Sequence, residues 1–295
     1  GRVARPERSY GYNFTRIVMK ISCSARKDWQ YHISDWIDFE KTHAKIHSGF
    51  EFDYDDIDYA FGTTEDTIPL WGGRVFNAIN LTRVDIYWLY DKGIGYKATL
   101  SSKSMSDVDY KNSKEMLKRY HRKGNAIITA IDKLARKIKN DFPKYKVEAS
   151  AVMDITTEEH LNRVIDTGLY DTIVLPICAN DDTKFLESIK NKDQIRLFIN
   201  AECSYLCPKK VCYGTIGQIN KETRDPNKMM CSHYDLKMPR TFYDDSINWS
   251  NFYFDKDKFD KMGFSNYKLV PSWETQQRTH IMYEKNKIEI NQGEQ

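Results

Sequence analysis

"KVEASAV", residues 146–152, decides how this chain folds. In an extended strand, Val147, Ala149 and Ala151 share one face, while Glu148 and Ser150 share the other. Parallel strands of an open sheet with helices on both faces read as near-continuous apolar runs. A polar face on such a strand favours a closed barrel. Its lumen then either hosts a site or is filled by internally paired charges, for example Lys97 with Glu148. The same texture recurs in "YKATLSS" (96–102), where Lys97, Thr99 and Ser101 lie together. "IRLFINA" (195–201) brings Asn200 to a strand end, with Glu202 just beyond.

Around these strands the chain alternates. "TRVDIYWLYDKG" (82–93), "NSKEMLKRYHRKG" (112–124), "IDKLARKIKNDF" (131–142), "TTEEHLNRVIDTG" (156–168) and "DDTKFLESIKNK" (181–192) carry helical periodicity. Strand-like runs interleave with them: "GRVFNAI" (73–79), "YKATLSS", "NAIITA" (125–130), "KVEASAV", "DTIVLPI" (171–177), "IRLFINA" and, after "FDKDKFDKMGF" (254–264), "YKLVPS" (267–272). Thr156 is placed to cap the helix opened by Glu158 and Glu159. Gly93, Gly124, Pro143 and Gly168 punctuate helix ends. Such alternation implies right-handed βαβ units.

Seven strands after residue 73, with an eighth from the first third, predict a TIM-like (β/α)8 barrel. Residues 1–70 form an N-terminal segment that is part of the barrel or packed on it. Residues 71–295 hold the barrel proper, with a cysteine-rich insertion at 203–253. Within the first segment, "RIVMKIS" (16–22) reads as a strand and "DWQYHISDWIDFEKTHAKIH" (28–47) as a helix. "EFDYDDIDYAFGTTEDT" (51–67) reads as surface loop and edge structure, without calcium-loop spacing.

The net charge of +3, from 45 basic and 42 acidic side chains, is too balanced to argue nucleic-acid binding by bulk field. A local basic groove stays open. No window approaches the roughly 18 consecutive apolar residues of a membrane span. No early stretch reads as a signal peptide, so a cytoplasmic, reducing location is expected. There, clustered cysteines are metal ligands or catalysts more often than disulfides.

Four of the six cysteines, Cys203, Cys207, Cys212 and Cys231, fall in the spacing C-x3-C-x4-C-x18-C, starting just past a strand end. In β/α barrels that rim carries active sites. Pro208, Gly214 and Gly217 predict a loop between these ligands rather than a continuous helix. Three close thiolates with one remote suit a 4Fe–4S cluster. Zinc, with His233 as a fourth ligand, is the alternative, and free or redox-active cysteines are a third option. The radical S-adenosylmethionine spacing, C-x3-C-x2-C near a first strand, does not match. Cys23 and Cys178 stand alone as packing residues, although Cys178 can face the site from the neighbouring strand end.

The order of these strands resembles the collagenase-like peptidase family of β/α barrels. "IRLFINAECSYLCPKKVC" is similar to that family's "IEVFVHGALC" strand, "TIVLPICAND" to its "VVLPREL", "GNAIITAID" to its "DAIIVTD", and "FDKDKFDKMGFSNYKLVP" to its "LPELIEAGVDSLKIEGR". The likeness spans about residues 74–272. It implies that the four cysteines stand where family members hold a cluster, and that Lys268 stands where they have the lysine of "KIEGR". The glycine–arginine end of that motif is replaced by "KLVPS", and the arginine of "VLPREL" is missing.

Members of this kind hydroxylate tRNA, rRNA or quinone precursors without oxygen, and others are peptidases. The resemblance therefore implies an RNA or small aromatic substrate, with a protein partner or electron donor. Glu148 or Glu202 would act as general base if burial raises its pKa, beside Lys268. Asn77, Thr99, Ser150 and Asn200 would orient substrate. "KRYHRKGN" (118–125), "CPKKVCY" (207–213) and "RTHIMYEKNK" (278–287) supply basic and aromatic residues for a nucleobase rim, or are solvated faces. A non-catalytic, metal-stabilised binding module is the alternative reading. A peptidase finds no local motif, neither H-E-x-x-H nor G-x-S-x-G.

Overall fold

A computed structural model describes residues 19–25, 32–73, 75, 80–201, 205, 207, 210–228, 230 and 252–271. Eight parallel strands close on one another in chain order: β1 Lys20–Ser24, β2 Ile57–Gly62, β3 Gly95–Leu100, β4 Ala126–Thr129, β5 Lys146–Ala149, β6 Thr172–Val174, β7 Ile195–Phe198 and β8 Asn266–Leu269. β8 returns to β1, pairing Lys268 with Ser22. The fold is thus the (β/α)8 barrel that the polar strand faces predict.

The helices between the strands are α1 Ile33–Ser48, α2 Arg83–Asp91, α3 Asp107–Arg119, α4 Asp132–Asp141, α5 Glu158–Asp166, α6 Thr183–Ser188, α7 Cys212–Asn220 and α8 Lys256–Lys261. Their starts are written locally. Thr82 caps α2 and Ser106 caps α3, each in a reciprocal box with the aspartate three residues on. Such a cap contributes about 1 kcal/mol. In α1, Ile33, Trp36, Ile37, Glu40, His43 and Ala44 form the buried stripe, and Gly49 closes the helix at φ 69°. The main apolar core fills the space between helices and barrel wall, with Ile127, Val147, Ile173, Ile195 and Leu197 fully buried.

Several expectations need correction. Six strands follow residue 73 and two precede it. "GRVFNAI" lies largely outside the described residues, and Val75 sits in no strand. The acidic stretch 51–67 is not an edge. Asp53 caps a turn at Tyr54–Asp56, and Ile57–Gly62 then enters the barrel between β1 and β3. Ile57 and Ala60 are buried, and Asp58 meets an arginine, so the acid there marks an ion pair and not a surface. The cap of α5 is Thr157, whose hydroxyl accepts the His160 N–H, rather than Thr156. Gly214 and Gly217 lie inside helix α7, where a loop was expected. A Cβ on Gly217 would stand 3.2 Å from Ser102 Oγ, so the glycine lets the helix lie close on the β3–α3 loop.

Candidate functional site

The lumen is cross-linked by charge. Lys97 from β3 places Nζ 2.5 Å from Glu148 Oε2 of β5 and donates to Ser22 Oγ of β1 at 3.2 Å. Arg196 from β7 spans to β2, where its two terminal nitrogens donate to Asp58 at 3.1 and 2.5 Å, and to the Tyr267 carbonyl at 2.9 Å. Its Nε lies 3.6 Å from Glu148 Oε2. Lys268 from β8 lies 3.7 Å from Glu148 Oε1 and over the Phe61 ring, 4.2 Å from its centroid. Three cations thus surround one carboxylate, and Lys97, Glu148 and Arg196 are at most 2% exposed.

These contacts overturn the expectation that burial makes Glu148 a general base. Burial alone pushes its pKa up, but Lys97, Lys268 and Arg196 together outweigh it and hold the carboxyl below its ordinary value. Burial also lowers Lys97 to about 8, against the pull of Glu148. The pair is ionic at neutral pH, and Glu148 lies within reach of three cations.

Above this network, at the C-terminal ends of the strands, opens a cavity of about 210 Å³. Lys268 and Phe198 line its base, with Ser24, Thr63, Thr99 and Ser150 offering hydroxyls around it. Thr99 Oγ1 is buried without a hydrogen-bond partner among the described residues. Ser150 caps a short turn by accepting the Val152 N–H at 3.3 Å. One wall comes from the cysteine-bearing segment, through Lys210 and Tyr213. Lys210 Nζ is held 2.6 Å from Asp154. Helix α7, which follows, is tied to the mouth by Asn220, whose amide donates to the Trp71 and Gly73 carbonyls at 2.7 and 2.8 Å.

The structure brings Glu148, Lys268, Thr99 and Ser150 to the lumen and this cavity. Asn200 is elsewhere engaged: its amide donates to the Val270 carbonyl at 2.8 Å and accepts the Val270 N–H at 2.9 Å, clamping the end of β7 to β8. Asn77, Glu202, Cys203 and Cys231 lie outside the described residues. Cys207 is buried, and its sulfur accepts the Lys210 N–H at 3.3 Å. Cys212 opens α7. Backbone N–H groups donating to sulfur are the kind of contact that tunes metal-bound thiolates, and Cys207 has one. Among the described residues no three His, Cys, Asp or Glu side chains gather into a metal site.

Cys23 is fully buried, and Cys178 sits half-buried in the turn Ile177–Asp181, outside the cavity lining. "KRYHRKGN" does not border the mouth. It joins α3 to β4 at the opposite, N-terminal face. Arg196 and Asp58 escaped the sequence reading. A lone arginine alternating with Ile195 and Leu197 was the available signal for the first, since a buried charge demands a partner.

No helix of the described residues is long and apolar enough to cross a membrane. Among solved structures, that of the U32 peptidase Mk0906 shares this fold, with a TM-score of 0.53 at 11% identity over 86% of this chain and 93% of that one. At such identity the likeness speaks for the barrel. No family model and no curated protein matches the sequence.

Proposed function

We propose that the barrel mouth is the site of an iron–sulfur-dependent modifying enzyme. In this reading Cys203, Cys207, Cys212 and Cys231 hold a 4Fe–4S cluster, and the neighbouring cavity takes a nucleobase or small aromatic ring for oxygen-independent hydroxylation. The observation that carries the reading is the shared wall: Lys210 and Tyr213, within the cysteine segment, line the same cavity as Lys268. Metal and substrate would therefore meet. When bound, the cluster would supply one-electron transfer.

The chain's own residues supply the rest. The cavity, below the roughly 300 Å³ of drug-sized sites, suits a single ring between Phe61 and Phe198. Thr99 and Ser150 offer hydroxyls to the ring's polar edge. Lys268, steadied by Glu148, holds a positive charge where negative charge on a ring or carboxylate would develop. Lys268 rather than Glu148 lines the cavity.

Anaerobic purification followed by iron, sulfide and zinc analysis tests this. Iron and sulfide in equal amounts, with a broad visible absorbance, are expected, and Cys231→Ser should lower both. Stoichiometric zinc without iron would overturn the cluster and leave the zinc alternative. Mass spectrometry of RNA nucleosides from cells with and without the protein then separates a nucleobase substrate from a small free one.

One observation favours the second reading, a metal-stabilised binding module without catalysis. Every strong acid in the described lumen is already paired, Glu148 with Lys97 and Asp58 with Arg196. A module of this kind would bind ring ligands at the mouth with no turnover after cluster loading.

A further inference from the structure

We propose that the N-terminal face of the barrel carries a second ligand site, separate from the mouth, that binds phosphoryl groups. A cavity of about 440 Å³ opens there among the starts of β1, β2, β3 and β4. Lys20, Arg122 and Lys123 line it, and none of the three has a carboxylate partner among the described residues. The one acid in the lining is Asp58, and Arg196 already engages both its oxygens. The cavity therefore carries about three uncompensated positive charges. Such a concentration attracts anions.

The site is held in shape from below. Asn125, fully buried, donates to the Tyr90 hydroxyl at 2.6 Å and to the Tyr120 carbonyl at 2.9 Å, and accepts the Tyr96 N–H at 2.9 Å. Tyr90 in turn carries the Arg122 guanidinium 3.9 Å above its ring. A stacked arginine keeps its planar fork of donors for a phosphate, where a lysine offers a point charge. The lip is backbone. A Cβ on Gly95 would fall 2.0 Å from the Gly124 carbonyl, so β3 starts in direct contact with the loop that bears Arg122 and Lys123.

The chemistry recognised is a phosphoryl group next to a flat ring, since a base can stack on the Arg122–Tyr90 pair. Its source is either a strand of RNA or a free nucleotide. The full chain is titrated with a fluorescently labelled single-stranded oligoribonucleotide, and separately with AMP, over a range of salt. Tight RNA binding with a log–log salt slope of roughly −2 is expected, from three contacts at about 0.7 each. The double variant Arg122→Glu/Lys123→Glu should weaken binding at least about tenfold and flatten the slope. Lys184→Glu, an exposed charge on α6, should leave it unchanged, and circular dichroism checks that each variant is folded. AMP binding as tightly as RNA, with the same sensitivity to the double variant, makes the source a free nucleotide. No binding of either probe, or binding indifferent to the double variant, overturns the proposal.

Discussion

The lumen and the mouth use the same residue types to opposite ends. In the lumen, Lys97, Glu148, Arg196 and Asp58 satisfy one another across the barrel, from β3 to β5 and from β7 to β2. At the mouth, Lys268, Thr99 and Ser150 border open space. Glu148 belongs to both, since it binds Lys97 below and steadies Lys268 above. A charged strand residue thus meets other charges alone, or also a cavity, according to its height in the barrel. Side chains deep in the lumen, such as Lys97 and Glu148, must be paired because water cannot reach them, whereas those at the C-terminal rim border a cavity.

Glu148→Ala should produce the largest effect. It leaves three cations facing one another and should destabilise the fold by about 3–5 kcal/mol, read by urea denaturation. The double variant Lys97→Met/Glu148→Leu should cost less than that single change, because both charges leave together. A double variant that is as unstable as the single one would mean that the pair is not the organising contact.

Asn200→Ala comes next, at about 1–3 kcal/mol, since it strands the Val270 N–H and carbonyl in a buried position. This loss belongs to the clamp between β7 and β8 and should add to that of the lumen variants.

Acid weakens the comparison from the lumen side. The folded Glu148 binds a proton more weakly than the unfolded chain does. Its stabilisation is therefore complete above the unfolded value near 4.3 and drains away as pH falls below it. Glu148→Gln should lack that part of the acid transition. Lys97, lowered to about 8, gives a slope of the same sign in a higher window. Between about pH 8 and about pH 10 the unfolded chain holds the proton that the folded one releases, so the lysine's contribution to stability rises with pH there. Subtracting the curve of Lys97→Met from that of the native chain isolates it.

The smallest effect on stability belongs to the mouth. Lys268→Met removes one of three cations around Glu148 and substitutes an apolar chain of similar length, so about 1 kcal/mol or less is expected. A larger loss would move Lys268 from the mouth into the structural network.

Much of this architecture was legible in the sequence because barrel strands reveal themselves by polar alternation. Lys97 with Glu148 could be paired on paper, since both stand on the polar face of strand-like runs separated by one apolar strand. β2 was not legible, because Asp53, Asp55, Asp56 and Asp58 look like a solvated loop. Only the distant Arg196, 138 residues on, turns Asp58 into a lumen residue. Helix α7 was hidden by two glycines, of which Gly217 lets the helix lie close to Ser102. Of the candidate site, Thr99 and Ser150 follow from strand alternation and Lys268 from the family resemblance, while Asn200 looked like a free rim amide because its partner, Val270, offers only backbone.

The central claim is that the cysteine segment and Lys268 serve one site. The midpoint potential of the reconstituted, metal-loaded protein tests it most directly, compared between the native chain and Lys268→Met. A nearby ammonium favours the reduced, more negative state of a cluster, so the variant should have a lower potential, with unchanged iron content. An identical potential, or a chain that takes up no redox-active metal, would contradict it.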